Sequence, residues 1–141
     1  MVTENADEMR ILSEDEAWAL LEENSLGRLA FAVAGDPDIV PINYCASGRR
    51  LYFRTAGGSK LLGLTINQSV AFEVDTIEDD VARSVVLSGQ ARKLETSAEI
   101  EFADSLPLRP WVPTLKYQYV EIEPDEVNGR QYHLGPEPER D

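Results

Sequence analysis

Cysteine and histidine, which commonly serve as metal ligands and in catalysis, are nearly absent from this chain. Its 141 residues include one cysteine, Cys45, and one histidine, His133. These two side chains cannot supply the usual nitrogen and sulfur ligands of a zinc site, and a single cysteine cannot form an internal disulfide. A serine nucleophile needs a base beside it, and the chain has no Gly-x-Ser-x-Gly turn. The sequence therefore argues against a zinc enzyme and against a hydrolase with a catalytic triad.

The lone cysteine and histidine are better explained by the strands around them. Cys45 lies between Tyr44 and Ala46 in a strand-like segment, where a buried apolar role is more common than a reactive thiol. His133 is interpreted as a surface or sheet-edge residue. Haem is the exception among cofactors, because one axial histidine can hold it, so a haem-binding role for His133 stays open.

Long apolar runs and positive charge are also scarce. No segment approaches the roughly 18 apolar residues of a membrane helix, and the first ten residues lack the basic and apolar blocks of a signal peptide. We therefore expect a cytoplasmic protein with no membrane partner. The 13 basic and 26 acidic residues give a formal net charge of -13. Such a charge repels a phosphate backbone, so we expect no nucleic-acid partner.

The few basic residues are concentrated in one part of the chain. Residues 28–67 carry a net charge of +3, from Arg28, Arg49, Arg50, Arg54 and Lys60 against Asp36 and Asp38. A positive stretch in an acidic protein is typical of a site for a small anionic ligand, but it also arises from uneven surface charge. Charge alone leaves both interpretations open.

Apolar periodicity and turn residues predict one mainly β domain over residues 1–141, with flexible ends at 1–10 and 135–141. Predicted strands cover 26–33, 39–46, 51–55, 70–74, 84–93, 117–122 and 131–134, with a hairpin at Asn128-Gly129. Short helices are predicted over 14–24, after the capping box that begins at Ser13, and over 59–67 and 96–106. Because strands mostly follow strands, the pattern favours an antiparallel β-barrel over a parallel sheet.

The segment from Phe53 to Lys60 has the composition of a phosphate-binding turn. A strand end, two glycines and the potential helix cap Ser59 together expose backbone amides. Arg54 can donate to two phosphate oxygens, Lys60 adds a point charge, and Thr55 offers a hydroxyl. The spacing is not that of a Walker loop. An ordinary strand-to-helix turn with exposed cations is the alternative.

The order of these features resembles the pyridoxamine 5'-phosphate oxidase-like flavoproteins of the split β-barrel fold, especially the short bacterial members. The resemblance spans about residues 11 to 134. It runs through GRLAF (27–31), PINY (41–44), LYFRT (51–55), GSK (58–60), SVVLSG (84–89) and PWVP (110–113). Each segment is unspecific alone, and the order and spacing carry the resemblance.

The resemblance implies a mainly β split barrel of six to seven antiparallel strands, a homodimer, and FMN at the subunit interface. By position, the phosphate would be held by Arg54, Thr55, Ser59 and Lys60. The isoalloxazine ring would be lined by Pro41, Ile42 and Asn43, and Ser84 and Trp111 would reach the flavin from later strands or from the partner subunit. The resulting prediction is an FMN-dependent oxidoreductase with a small-molecule substrate.

Two departures from the family pattern narrow this prediction. The authentic vitamin B6 oxidases carry an arginine and a lysine on the second strand, where residues 40–45 contain no cation. They also carry a C-terminal substrate segment, of which only Arg130 and His133 have counterparts here. Pyridoxamine phosphate is therefore not the expected substrate. Alternatives are a reductase that uses the deazaflavin F420, with Arg28, Arg49 and Arg50 forming a basic groove, and a non-enzymatic flavin- or haem-binding protein.

Overall fold

The computed structural model describes residues 9–56, 63, 69–108 and 117–136. The helices in these ranges are α1 (Glu14–Glu23) and α2 (Ser97–Asp104). The strands are β1 (Met9–Ile11), β2 (Leu26–Val33), β3 (Asp36–Asn43), β4 (Cys45–Ser47), β5 (Arg50–Ala56), β6 (Ser69–Glu78), β7 (Val81–Lys93) and β8 (Tyr117–His133). The predicted helix over 59–67 lies, apart from residue 63, outside the described residues. The described part of the chain is mainly β, which confirms the predicted fold class.

The strands form one antiparallel sheet in the order β3-β2-β6-β7-β8-β5-β4, with β1 added to β8. β7 and β8 pair over most of their length, from Val81 opposite His133 to Lys93 opposite Val120. Within the described residues no strand pairing joins the two ends of this order, β3 and β4. The sheet is therefore not closed, as expected for a split β-barrel.

The long last strand corrects one sequence-based expectation. Asn128-Gly129 predicts a hairpin, but β8 continues without a turn from Tyr117 to His133. Its first part pairs with β5, its last part with β1, and nearly all of it with β7. Gly129 instead allows close packing, because a Cβ there would lie 3.0 Å from the side chain of Leu12. Tertiary pairing thus overrides the local turn signal.

Two predicted boundaries also differ from the structure. Residues 1–10 are expected to be flexible from the sequence, but Met9 and Arg10 pair with Tyr132 and Gln131 in the β1–β8 ladder. The predicted strand over 39–46 is interrupted at Tyr44, whose backbone N–H donates to the Ser25 carbonyl at 2.9 Å. The interruption divides the segment into β3 and β4.

Tight turns connect several neighbouring strands. Two consecutive residues with positive φ occur at Ala34–Gly35, Gly48–Arg49 and Asp79–Asp80. This backbone geometry is that of the turns that match the twist of antiparallel strands. The acidic segment between β6 and β7 therefore forms a tight turn.

Burial alternates along the strands and defines two faces of the sheet. In β6, Val70, Phe72 and Val74 are buried in the main core, whereas Ala71 and Glu73 are on the opposite side, which we call the outer face. α1 packs on the core side through Trp18, Leu20 and Leu21, among others. α2 covers part of the outer face through a smaller cluster of Tyr52, Leu94, Ala103 and Tyr119. No helix among the described residues is long and apolar enough to cross a membrane.

Both helices begin with a capping box. The Ser13 hydroxyl accepts from the Glu16 backbone N–H at 3.1 Å, and Glu16 accepts from the Ser13 N–H at 2.9 Å. Thr96 and Glu99 repeat this arrangement at α2. Arg10 and the Ser13 backbone lower the pKa of Glu16 to about 2, and Arg92 and the Thr96 backbone lower that of Glu99 to about 2. The predicted cap of α1 is confirmed.

These caps predict an acid-sensitive contribution to stability. A carboxylate whose folded pKa is lowered stabilises the protein above its ordinary pKa of 4.5, and the contribution is lost as the pH falls from 4.5 to about 2. Glu99→Gln keeps a capping side chain but removes the charge, so its free energy of unfolding should depend less on pH in this window. Denaturant titrations of both proteins between pH 2 and pH 5 test this. Equal pH dependence would contradict the assignment.

Candidate functional site

Arg54 has an unusual environment at the end of β5. Its neighbours Phe53 and Thr55 are buried on the core side, so Arg54 lies on the outer face. The guanidinium carbon lies 4.5 Å from the centroid of the Tyr117 ring, a cation–π contact. The Arg54 Nε atom is buried and has no hydrogen-bond partner among the described residues. Since an unsatisfied buried N–H costs about 1–3 kcal/mol, an acceptor bound here would be stabilised.

The two predicted phosphate ligands in β5 do not point to the same side. Thr55 is 5% exposed and its side chain is directed to the core face, opposite to Arg54. Thr55 can therefore contribute to an outer-face site only through its backbone. The other predicted phosphate ligands, Ser59 and Lys60, lie outside the described residues.

The β3 residues predicted to line a ring are also divided between the two faces. Pro41 is exposed on the outer face and Asn43 is half-buried there, whereas Ile42 is 4% exposed and packs in the main core. The side chain of Ile42 is thus needed for folding, and only its backbone can face a ligand. Ile42 was predicted to line the ring because it lies between Pro41 and Asn43 in the sequence. The sequence did not show that its side chain points to the opposite face of the sheet.

The fold brings Asn43 towards Arg54. β4 pairs with β5 so that Cys45 is opposite Tyr52, and Asn43 lies two residues before Cys45, just as Arg54 lies two residues after Tyr52. β3 and β5 are also in direct contact. Asn43 lines a cleft of about 230 Å³ together with Ser25, Tyr44 and Pro107. Arg54, whose Nε has no hydrogen-bond partner among the described residues, and the Asn43 amide therefore lie where the two ends of the strand order approach each other.

Ser84 is on the outer face but at a distance from this edge. It is half-buried in β7, and its neighbours on the adjacent strands are Asp75 of β6 and Arg130 of β8. β2 and β6 separate β7 from β3, so three strand spacings of about 4.8 Å, roughly 14 Å in total, lie between Ser84 and β3. The structure does not bring Ser84 and Asn43 together within one copy. Trp111 lies outside the described residues.

The other arginines of the positive stretch are engaged in ion pairs. These pairs lie on exposed parts of the surface, where each contributes at most about 1 kcal/mol. Their carboxylate partners are Glu73 (2.8 Å) and Asp75 (2.6 Å) for Arg28, Glu14 and Asp15 for Arg49, and Glu123 (3.5 Å) for Arg50. The positive charges of these three arginines are therefore neutralised in space by five acidic residues, all of them outside residues 28–67. Arg54 differs from these three arginines in having an aromatic contact and an Nε–H that donates to none of the described residues.

Sequence analysis missed the tyrosine pair that supports Arg54. The Tyr117 and Tyr119 rings meet edge to face, with centroids 5.3 Å apart, and the Tyr119 hydroxyl donates to Asp104 at 2.5 Å. Burial, together with Asp104, raises the pKa of Tyr119. The alternation of the two tyrosines predicts a shared strand face, but only the β5–β8 register places Arg54 opposite Tyr119.

A second polar cluster under α2 was also not predicted. Glu121 is 7% exposed, accepts from the Tyr52 hydroxyl at 2.9 Å, and accepts from Arg92 at 3.2 Å. Burial and the Glu121 carboxylate raise the pKa of Tyr52 to about 12. Nothing in the local sequence marks Glu121 as buried, because the burial results from α2 covering the outer face.

His133 has the exposed environment expected from its sequence position, whereas Cys45 is less buried than expected. Cys45 is half-buried, and burial raises the pKa of its thiol, which disfavours the reactive thiolate. His133 is exposed at the end of β8, opposite Val81.

Comparison with a family model extends over most of the chain. The model for pyridoxamine 5'-phosphate oxidase matches residues 13–131. An uncharacterized protein of Mycobacterium tuberculosis is 40% identical over 93 residues, which are 66% of this chain and 84% of that protein.

Solved structures share the same architecture. The FAD binding protein from Mycobacterium smegmatis is 36% identical with a TM-score of 0.81, covering 89% of this chain and 100% of its own. A FAD-binding protein from Mesorhizobium loti is 26% identical with a TM-score of 0.76, covering 87% and 97%. With a family match that extends from Ser13 to Gln131, this chain belongs to the pyridoxamine 5'-phosphate oxidase family.

Proposed function

We propose that this protein binds a flavin nucleotide and acts as a flavin-dependent oxidoreductase on a small molecule other than pyridoxamine phosphate. The observation that carries the proposal is the buried Nε of Arg54, which has no acceptor among the described residues. A flavin phosphate would supply that acceptor. The similar proteins from Mycobacterium smegmatis and Mesorhizobium loti are FAD-binding proteins, which supports a flavin nucleotide as the ligand.

The residues present fit a flavin phosphate. A phosphate oxygen can accept from Nε, and guanidinium–phosphate hydrogen bonds are among the stronger ones in proteins. The Tyr117 ring restricts the guanidinium on one side, so less rotamer freedom would be lost on binding. Lys60 and Ser59, which follow in the sequence, are the further predicted phosphate ligands.

The ring would lie at the β3 edge. Pro41 offers a flat apolar surface and Asn43 offers both a donor and an acceptor to a pyrimidine-like edge. A bound flavin supplies the electron-transfer chemistry. The side chains of this protein would then bind and orient the cofactor and exclude water. No catalytic nucleophile is required, in keeping with a sequence that has few candidates for one.

FMN and FAD both carry the phosphate that Arg54 would bind, and FMN is the cofactor predicted from the sequence. The F420 alternative depends on a basic groove formed by Arg28, Arg49 and Arg50. These three arginines are already paired with carboxylates, so a polyglutamate tail would have to displace those partners. The ion pairs therefore favour a flavin over F420.

A second copy of the chain would complete the site. Several large apolar side chains are exposed on the outer face, and packing against a second copy would remove them from water. The most exposed are Ile11 (71%), Ile77 (69%), Ile39 (59%), Leu26 (48%) and Val86 (44%). We therefore include a homodimer in the proposal, with Ser84 and Trp111 reaching the flavin from the partner subunit.

The test is a titration of the purified protein with FMN, FAD and F420, following the cofactor absorbance and protein fluorescence. We expect one flavin to bind and its visible absorbance to bleach on addition of NAD(P)H under anaerobic conditions. Light scattering of the same sample should give the mass of a dimer. A protein that binds none of the three cofactors, or binds only F420, would contradict the proposal.

A further inference from the structure

A pocket of about 260 Å³ lies between α2 and the outer face of the sheet. It is lined by Tyr52, Leu94, Ala98, Glu99, Phe102 and Glu121. Tyr52 precedes Arg54 by two residues in β5, so both side chains lie on the same face about 6.6 Å apart along the strand. The pocket therefore adjoins the proposed phosphate site. The proposed flavin function leaves it unused.

The walls and the floor of this pocket differ in polarity. Leu94, Ala98 and Phe102 form apolar walls, and Phe102 is 45% exposed although it lines the pocket. The Phe102 ring meets Tyr52 edge to face, with centroids 5.4 Å apart, and the exposed part of the ring is accessible to a ligand. The polar side consists of the Glu99 and Glu121 carboxylates.

The two carboxylates are held in place but retain acceptor capacity. Arg92 donates to Glu99 at 2.5 Å and to Glu121 at 3.2 Å, and the Tyr52 hydroxyl donates to Glu121 at 2.9 Å. A carboxylate offers about four lone-pair positions, so Glu121 can accept a further hydrogen bond. With two carboxylates and one guanidinium, the cluster has a net negative charge and would repel a phosphate.

We propose that this α2 pocket binds the adenine ring of FAD, with Phe102 stacking on the ring and a carboxylate accepting from the exocyclic amine. The proposal rests on the proposed flavin function and names FAD as the cofactor. A pocket of about 260 Å³ is slightly smaller than the roughly 300–1,000 Å³ of whole-ligand sites, as suits one part of a larger ligand. Exocyclic amines of bases donate well to carboxylates.

The negative charge of the α2 pocket also determines which part of FAD can enter it. The diphosphate would stay at Arg54, and the uncharged adenine would enter the acidic pocket. An anionic polyglutamate tail in this position would face Glu99 and Glu121. The pocket therefore favours an uncharged aromatic ring that carries a hydrogen-bond donor.

The test compares Phe102→Ala with the control Ile100→Ala, which alters an exposed α2 residue that does not line the pocket. The dissociation constants of FAD and FMN are measured for each protein by calorimetry. We expect the wild type to bind FAD more tightly than FMN. Phe102→Ala should bind FAD about tenfold more weakly and FMN unchanged, as expected for loss of one base-stacking contact. Ile100→Ala should match the wild type for both cofactors.

The outcomes separate this inference from the flavin function. Equal affinity of the wild type for FAD and FMN, or an equal effect of Phe102→Ala on both, would overturn the adenine assignment and leave the flavin function standing. Failure of both flavins to bind the wild type would overturn both proposals. Phe102→Tyr, which keeps an aromatic face, should restore the preference for FAD, and a lack of rescue would count against stacking.

Discussion

Arg54→Ala is expected to weaken flavin binding by about 100-fold. Hydrogen bonds to charged groups contribute about 1.5–3 kcal/mol, and each 1.4 kcal/mol changes affinity tenfold, so loss of a guanidinium–phosphate contact has this magnitude. The fold should not depend on Arg54, because the side chain lies at a strand end and its Nε has no hydrogen-bond partner among the described residues. Flavin titration by fluorescence, with thermal unfolding measured on the same samples, tests both expectations.

Arg50→Ala is the matched control for this prediction. Arg50 lies in the same strand and on the same face as Arg54, but it is paired with Glu123 at the other end of β5. Removal of the Arg50 side chain should leave the flavin dissociation constant unchanged. The salt dependence of that constant should also change very little. If Arg50→Ala weakens binding as much as Arg54→Ala does, the effect is one of general charge and not of a phosphate site.

Gly89→Ala is expected to lower the free energy of unfolding by about 3 kcal/mol or more. Gly89 lies at the irregularity in the β7–β8 ladder, opposite Pro124. A Cβ at this position would overlap the Glu123 carbonyl oxygen and lie 3.0 Å from the Pro124 Cα. Because these are backbone atoms, the clash can be relieved only by moving the two longest strands apart, which places the substitution at the severe end of overpacking effects.

Denaturant unfolding of Gly89→Ala measures this loss, and a fall in melting temperature of about 10 °C should accompany it. Gly135→Ala is the matched control, since a Cβ there would meet no atom within 4 Å and its φ is not positive. That variant should unfold like the wild type. A Gly89→Ala protein of wild-type stability would show that the two strands can separate locally at little cost.

Local sequence determined much of the secondary structure of this protein. The capping box at Ser13 predicted the start of α1, and the apolar pattern predicted the strands β2 and β6. These signals succeed because a cap and a two-residue period act within a few neighbouring residues. The hairpin at Asn128-Gly129 failed for the opposite reason, because pairing with β7 and β1 outweighs a local turn preference.

The sequence also predicted Arg54 and Asn43 as candidate site residues, but only the tertiary structure distinguished them from their neighbours. Pairing with distant carboxylates neutralises Arg28, Arg49 and Arg50, whereas the β5–β8 register leaves Arg54 above Tyr117. The direction of a side chain and the identity of its partners depend on strand register and on residues far apart in the sequence. A linear count of charges cannot contain that information, and for this reason the net charge of residues 28–67 did not separate Arg54 from the three arginines that are paired with carboxylates.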